Sequence, residues 1–239
     1  MTVQPKHIGI VGCSAEGAAL CFRTICSAGA KMLGGHRHPA VSMHTPSFEE
    51  YVACLRRDDW NGVATLMVAS ADKLAAIGAE FLICPDNTIH QALPVVASRT
   101  RLPWLHIADV VADEAVRRGF KRLGILGTRW LVDGKVYSEK FDARNLEYLR
   151  PTATERNEID RIIFEELVFG DHIQESTDYI HGVIDRMKAD NCDSVVLGCT
   201  ELPLIINDSN SAIPPLDSTR LLAMAAVNKA ISSPAKPRI

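Results

Sequence analysis

Two short polar segments combine side chains that can move a proton with side chains that can donate hydrogen bonds. Cys199 stands within residues 197–201, and Asp86 opens residues 86–90. A thiol has a reference pKa of about 8.5 and an aspartic acid one of about 3.9, so each can act on a weak carbon acid once its surroundings adjust that value. Short hydrogen-bonding groups stand beside them: Asn87, Thr88 and Thr200. The combination predicts acid–base catalysis on a small polar substrate.

Four further polar residues follow apolar runs and are candidates for binding that substrate. Ser14, in the loop 12–17, could cap a helix and also bond a carboxylate, because a helix N-terminus favours anions. Thr128 is the matching hydroxyl after a second apolar run. Arg129 could pair with a distal carboxylate or form a surface ion pair. Glu201 could bond a substrate ammonium group, orient a neighbour, or be a solvated residue of a first helical turn.

Short, uniformly apolar runs predict strands that are buried on both faces of a parallel sheet. The strong candidates are residues 8–11, 81–84, 123–126 and 194–197, and the weaker ones are residues 41–44, 103–106 and 145–148. Helical patterns lie between them. We expect Asp59 to cap a helix over residues 60–77, and Thr154 to cap one over residues 155–168. We also expect Cys199 to begin a helical turn, which would favour its thiolate.

The sequence contains an approximate internal repeat. Gly12 and Gly127 end similar apolar runs, and Asp86 and Cys199 follow later runs at nearly the same separation. Such a repeat indicates two copies of one α/β unit, and ligands bind beyond the carboxyl ends of strands in such units. We therefore expect an α/β fold of two pseudosymmetric parallel-sheet lobes with the active site in the cleft between them. The expected lobes are residues 1–106 plus 216–239, the latter starting as a helix from Leu216, and residues 107–215.

The composition excludes several classes of protein. The 239 residues are 47% hydrophobic and 23% charged, as in a globular protein with a sizeable core. The net charge of −3 does not indicate a nucleic-acid partner. No run approaches the ~18 consecutive apolar residues of a membrane span, and the first residues show no signal-peptide pattern. We therefore expect a cytoplasmic protein that binds neither nucleic acid nor a membrane.

The seven cysteines do not have the spacing of a metal site. Their number is odd, and neither a Cys-x2-Cys pair nor a paired histidine spacing accompanies them. Free thiols in a reducing compartment are therefore expected, with no structural metal.

Taken together, these segments resemble the cofactor-independent aspartate/glutamate racemase superfamily. Residues 197–201, Leu-Gly-Cys-Thr-Glu, resemble its second active-site motif, and residues 86–90, Asp-Asn-Thr-Ile-His, resemble its first. Further matches follow in the order that the family shows, so that the resemblance covers essentially the whole chain: residues 105–109, 126–129 and 162–167.

The resemblance implies an isomerase that works without pyridoxal phosphate, a metal or any other cofactor. In the family, a thiolate takes the Cα proton of an amino acid from one face and a second thiol returns a proton to the other. Loop hydroxyls and backbone N–H groups bind the carboxylate. Aspartate is the first expected substrate, glutamate the second and a broader range of amino acids the third. Dimers are common among relatives, so a homodimer is expected.

One position departs from the family pattern, because Asp86 replaces the usual first cysteine. Three interpretations remain open: Asp86 is the second acid/base, a rearranged loop brings Cys84 to the site, or Cys199 alone does chemistry. Some members without this cysteine resemble L-selective racemases, and an unequal acid–base pair predicts unequal handling of the two enantiomers. Relatives that keep one cysteine resemble malonate decarboxylases or maleate isomerases. A catalytically degenerate amino-acid-binding protein would also show these motifs.

Overall fold

The structure is a computed structural model that describes residues 4–232, and its chain divides into two units. One unit contains the residues up to Ile107 together with those from Thr219 onward, and the other runs from Ala108 to Ser218. Each unit contains one four-stranded parallel sheet and the helices that connect its strands. Residues 1–3 and 233–239, which belong to the expected first lobe, lie outside the described residues.

The first unit is built around four strands: β1 (Ile8–Val11), β2 (Val41–His44), β3 (Phe81–Ile83) and β4 (Trp104–Leu105). They pair in the order β2-β1-β3-β4, and every pair is parallel. The connecting helices are α1 (Ala15–Leu33), α2 (Phe48–Arg56), α3 (Trp60–Ala76) and α4 (Leu93–Arg99), with a 3-10 helix over Thr88–Ala92 before the last.

The second unit has the strands β5 (Arg122–Leu126), β6 (Glu147–Leu149), β7 (Ser194–Leu197) and β8 (Pro215–Asp217). They pair in parallel in the order β6-β5-β7-β8. Its helices are α5 (Ile107–Arg118), α6 (Arg129–Asp133), α7 (Ser138–Asp142), α8 (Ala153–Glu165) and α9 (Gln174–Ala189), with 3-10 helices over Leu167–Phe169 and Leu202–Leu204. Helix α10 (Ser218–Ser232) then returns to the first unit, where the Ala230 carbonyl accepts from the Lys6 N–H at 3.0 Å.

The two sheets have the same strand order, which confirms the α/β fold and the repeat of its unit. The register of the central strands also aligns the two polar segments. Ile10 pairs with Ile83 in the first sheet, and Ile125 pairs with Val196 in the second. Asp86 and Cys199 stand equally far after these partners. They therefore occupy equivalent positions beyond the carboxyl ends of equivalent strands.

Burial explains why the central strands were easy to recognise in the sequence. All residues of β1, β3 and β7 are buried, so both faces of each strand require apolar side chains. Strand β8 was missed, since helix was predicted from Leu216 onward. Its three residues begin with a proline and carry no periodicity of their own, and pairing with β7 alone makes them a strand.

The helix starts follow local hydrogen bonding. Asp59 caps α3 as predicted, with its carboxylate 2.8 Å from the Gly62 nitrogen. The prediction for Thr154 is wrong, because Thr152 caps α8. The Thr152 hydroxyl accepts from the Glu155 N–H at 3.3 Å, and the Glu155 carboxylate accepts from the Thr152 N–H at 2.7 Å. This reciprocal pair satisfies two backbone donors that Thr154 could not reach.

Glycine at position 198 allows two chain segments to approach each other beyond the second sheet. The Gly198 N–H donates to the Leu126 carbonyl at 2.7 Å, which continues the pairing of β5 and β7 past the last residue of β7. A Cβ atom at Gly198 would lie 2.7 Å from that carbonyl oxygen and would also collide with the Leu131 side chain. Any larger residue would therefore displace the segment that leads into Cys199.

We predict that Gly198→Ala destabilises the protein by about 1–3 kcal/mol, because the added methyl group meets a backbone oxygen that cannot move away. Gly182→Ala is the matched control, since a Cβ atom there meets nothing within 4 Å and the site lies inside α9. The control is expected to gain about 0.5–1 kcal/mol of stability. Urea-induced unfolding measures both. Equal midpoints for Gly198→Ala and the wild type would show that the close approach imposes no constraint.

Candidate active site

The loop after β3 contains a partly exposed carboxylate, that of Asp86, among buried residues. Between residues 81 and 90, Asp86 is the single residue that is not buried. Asn87 and Thr88, which follow it, are buried and open the 3-10 helix. The buried His90 side chain anchors the loop. Its Nε2 atom lies 2.9 Å from the Cys84 carbonyl oxygen, and its ring packs edge-on against His106. Asp86 is therefore the one partly exposed side chain between residues 81 and 90.

Cys84 faces the interior of the first unit. Its side chain is fully buried, and its Sγ donates to the Asp86 carbonyl oxygen at 3.7 Å. Burial raises the pKa of the Cys84 thiol well above its usual value, and the negative charge of Asp86 raises it further. Cys84 is therefore a neutral thiol directed into the core.

The loop after β1 lies beside the Asp86 loop, because β1 and β3 are neighbours in the sheet. Ser14 caps α1, and its hydroxyl accepts from the Gly17 N–H at 3.2 Å. The Gly12 N–H donates to the His44 carbonyl at 3.0 Å, which joins the ends of β1 and β2. Ser14 is thus placed at the carboxyl edge of the first sheet, as the sequence predicted, and it has a structural role there.

The segment after β7 presents a thiol in the same way. Between residues 194 and 203, Cys199 is the single residue that is not buried. Its Sγ donates to Glu201 Oε2 at 2.9 Å, and the Glu201 side chain is buried, as is Thr200. The thiol proton is therefore held between the sulfur and a carboxylate. The helix that follows is a 3-10 helix of 3 residues, so the expected help from a helix N-terminus is weak.

Thr128 and Arg129 begin α6 at the end of β5, which is paired with β7. The buried Thr128 hydroxyl accepts from the Leu131 N–H at 3.4 Å and so caps this helix. The Arg129 N–H donates to the Asp160 carboxylate at 3.0 Å, and the guanidinium lies 3.9 Å from that carboxylate. The guanidinium also stacks over the Trp130 ring at 4.6 Å. Arg129 therefore has partners on the surface of the second unit.

Each sheet thus collects its predicted residues at its own carboxyl edge. The first sheet carries Ser14, Asp86, Asn87 and Thr88, and the second carries Thr128, Arg129, Cys199, Thr200 and Glu201. Each edge combines a half-exposed acid–base group with buried hydrogen-bonding side chains. Such a set can bind a carboxylate and exchange a proton with an adjacent carbon.

Sequence reasoning did not identify Tyr51, which lies under the first of these edges. It stands in α2 and its side chain is fully buried; burial raises the pKa of its hydroxyl, the charge of the Asp86 carboxylate raises it further, and a hydrogen bond with Ser70 lowers it. The available signal was a polar-tipped aromatic residue on the buried stripe of a predicted amphipathic helix. That pattern is common in cores and does not by itself indicate a site.

Residues 4–232 lack two features that would indicate other functions. None of the helices there combines the length and apolarity needed to cross a bilayer. No three or more His, Cys, Asp and Glu side chains in the same part of the chain are grouped so that they could hold a metal ion.

Comparison with known proteins places this geometry in a family. Residues 10–226 match the family model for Asp/Glu/Hydantoin racemase. A proposed Asp/Glu racemase from Yersinia pestis superimposes with a TM-score of 0.86 and 30% identity, over 95% of this chain and 99% of that one. An aspartate racemase homologue from Pyrococcus horikoshii OT3 gives a TM-score of 0.81 and 26% identity, over 94% and 99%.

A curated relative shows the same relationship in sequence. The broad specificity amino-acid racemase RacX of Bacillus subtilis (strain 168) is 22% identical over 172 residues, which are 71% of this chain and 73% of that protein. These matches confirm the superfamily inferred from the order of the motifs. The chain belongs to the Asp/Glu/Hydantoin racemase family and is a racemase, that is, an isomerase.

Proposed function

We propose that this protein racemises aspartate, glutamate or both without a cofactor, and that Asp86 and Cys199 are the acid–base pair. One group takes the Cα proton, and the other returns a proton to the opposite face. The observation that carries the proposal is the equivalence of the two positions. Asp86 and Cys199 align through the strand register, and each is the half-exposed residue of an otherwise buried segment.

The remaining polar residues would stabilise the charge that develops on the substrate. Removing a Cα proton places negative charge on the neighbouring carboxylate, and preorganised donors lower the energy of that state. Asn87, Thr88 and Thr200 are buried beside the two acid–base groups and fit this role. Ser14 would bring the first N–H groups of α1 to the carboxylate, and the Thr128 hydroxyl, which accepts from the Leu131 N–H, keeps its own proton for donation.

The environments of the two groups support an unequal pair. The Cys199 thiol donates its proton toward Glu201, which favours the protonated sulfur in the resting enzyme. An ordinary carboxyl group ionises at a much lower pH than an ordinary thiol, so the proposal assigns the ionised form to Asp86. Asp86 would therefore begin the reaction as the base and Cys199 as the acid. The enantiomer whose Cα–H bond faces Asp86 meets both groups in the correct state, and the other enantiomer does not.

Burial argues against Cys84 as the second acid–base group. Its thiol is enclosed and directed into the core, and its pKa is raised, so it can neither reach a ligand nor ionise readily. This supports Asp86 over a rearranged loop.

The substrate side chain would be recognised by Arg129. Its contact with Asp160 is long, at 3.9 Å, and its side chain is 55% exposed, so turning toward a distal carboxylate costs little. Aspartate is the first candidate, in line with the aspartate racemase homologue among the similar structures. The broad specificity of the Bacillus relative makes other amino acids worth testing beside it.

A second candidate function follows from Asp86 standing where two-cysteine racemases have a thiol. Cys199 would then act alone, on a substituted malonate or on maleate. Carbon dioxide release, or a covalent adduct on Cys199 detected by mass spectrometry, would support this function over racemisation. A protein that binds amino acids without exchanging their Cα protons would be a racemase or one-cysteine enzyme that has lost its catalytic activity.

We further propose that the protein is a cytoplasmic homodimer. No disulfide joins the seven cysteines, all of which lie within residues 4–232, as expected in a reducing compartment.

The proposal of a homodimer is tested by mass. Sedimentation equilibrium at micromolar concentration is expected to give twice the monomer mass, and a monomer mass would contradict the proposal.

We predict that Cys199→Ala lowers the rate of racemisation, and the rate of Cα exchange of the enantiomer that faces Cys199, by about 10²–10⁴-fold, because an acid–base group is removed while the fold is kept. Proton NMR in deuterated water measures the loss of the Cα signal for the L and D forms of aspartate and glutamate. The matched control is Cys26→Ala, which removes another half-buried thiol, from the middle of α1. Racemisation at the wild-type rate in Cys199→Ala would refute the assignment.

We predict that the wild-type enzyme exchanges one enantiomer faster than the other at matched saturation. In Asp86→Asn, racemisation is expected to be lost, and the remaining exchange should be confined to the enantiomer that faces Cys199, with retention of configuration. The same NMR assay, with circular dichroism to follow inversion, measures both. Equal initial rates in the wild type, or full racemisation by Asp86→Asn, would show that Asp86 is not the second group.

A further inference from the structure

Helix α1 has an exposed apolar stripe that the proposed reaction does not use. The helix packs against β1 and β2 and buries the residues Gly17, Ala18, Cys21, Ile25, Ala28 and Gly29. A second set of apolar residues on α1 is partly or fully exposed, and we call it the α1 seam: Ala15, Ala19, Phe22, Cys26, Ala30 and Leu33. The largest exposed side chain of the seam is Phe22, at 39%.

The α1 seam has the spacing of a helix–helix contact. Its members follow one another at intervals of four, three, four, four and three residues. Such intervals keep side chains on one stripe of an α-helix, and in a coiled coil this stripe packs against a second helix. Because α1 has 19 residues, the stripe is about 28 Å long. Its exposure shows that no other element within residues 4–232 covers it.

Two opposite charges flank the α1 seam on the same side. Glu16 and Arg23 each follow a seam residue, Ala15 and Phe22 respectively, and both charged side chains are exposed. Within residues 4–232 neither of them has an ion-pair partner. They stand seven residues apart, so they share one side of the helix at a separation of about 10 Å and cannot pair with each other.

A second copy of α1 in the antiparallel orientation matches both the seam and the charges. A two-fold axis that crosses the seam between Ala19 and Phe22 places these two residues opposite each other, so that the small side chain leaves room for the ring. In a two-fold interface, residue i contacts residue j of the other copy and the reverse contact also forms. Glu16 and Arg23 occupy equivalent flanking positions, which face each other in an antiparallel helix pair. Each dimer therefore contains the contact between Glu16 and Arg23 twice.

We propose that α1 forms the interface between two copies of this protein: the α1 seams pack antiparallel, and Glu16 and Arg23 form two ion pairs across the two-fold axis. Burial of the apolar seam supplies the affinity, and the ion pairs fix the antiparallel register. The inference rests on the homodimer proposed above, and it adds the surface through which the copies associate and their relative orientation.

The test is a pair of charge reversals, measured by sedimentation velocity over a dilution series. Arg23→Glu places two negative charges at each crossing where the wild type has an ion pair, and Glu16→Arg places two positive charges there. Each variant is expected to raise the dissociation constant of the dimer by about tenfold or more, because repulsion replaces attraction twice in every dimer. Wild-type dissociation constants in both variants would overturn the proposal.

Mixing the two variants separates the register from any effect on the fold. In a dimer of one Arg23→Glu chain and one Glu16→Arg chain, opposite charges meet again at both crossings. An equimolar mixture is therefore expected to dimerise with a dissociation constant close to that of the wild type. The chain that carries both substitutions is expected to do the same by itself. A mixture that stays monomeric, with both chains folded by far-ultraviolet circular dichroism, would contradict the antiparallel register.

Lys31→Glu is the matched control. It reverses an exposed cation of the same helix that lies about 140° round the helix from Cys26 and so points away from the seam. The dissociation constant is expected to stay at the wild-type value. A rise as large as that in Arg23→Glu would mean that the effect does not depend on the seam, and would overturn the proposal.

The outcomes distinguish the interface from the homodimer itself. A wild-type protein that sediments as a monomer at all concentrations rejects the homodimer and the interface with it. A wild-type dimer that is insensitive to both charge reversals keeps the homodimer and rejects α1 as its interface. Racemisation is measured separately by the NMR assay, and neither result depends on it.

Discussion

The hydrogen bond from the Gly198 N–H to the Leu126 carbonyl, 2.7 Å long, continues the pairing of β5 with β7 beyond the last residue of β7. It fixes the backbone that leads into Cys199 against the start of α6. In the first unit, the pairing of β1 with β3 brings the loops of Ser14 and Asp86 to one edge in the same way. Because parallel strands end at one edge, groups far apart in sequence become neighbours.

At each edge a cysteine is followed two positions later by an acidic residue. In the first unit the acidic residue is the more exposed of the two, and in the second unit the cysteine is. In the first unit, Asp86 is half-exposed and Cys84 is enclosed. In the second unit, Cys199 is half-exposed and Glu201 is buried. The enclosed partner bonds the Asp86 backbone carbonyl in the first unit and the Cys199 thiol in the second. The same repeated unit thereby presents a carboxylate at one edge and a thiol at the other.

Burying a polar group at these edges is unfavourable unless the group is hydrogen-bonded, and local hydrogen bonds supply partners. The Ser14 and Thr128 hydroxyls cap helices: they accept hydrogen bonds from the Gly17 and Leu131 N–H groups. Each hydroxyl accepts in its cap and keeps an O–H proton that can be donated to a carboxylate. Tyr51 lies fully buried in α2, where burial raises the pKa of its hydroxyl and the neighbouring Ser70 hydroxyl lowers it.

The sequence by itself determined the fold class and the equivalence of Asp86 and Cys199, because buried parallel strands must be apolar throughout and a repeated unit repeats its polar strand ends. Long-range contacts decided the rest. Strand β8 exists only through its pairing with β7, and the cap of α8 lies at Thr152 because a reciprocal hydrogen bond forms there. The enclosure of Cys84, the link from Cys199 to Glu201 and the burial of Tyr51 likewise required the folded chain. Burial and hydrogen-bond geometry depend on neighbours that residue type and spacing do not specify.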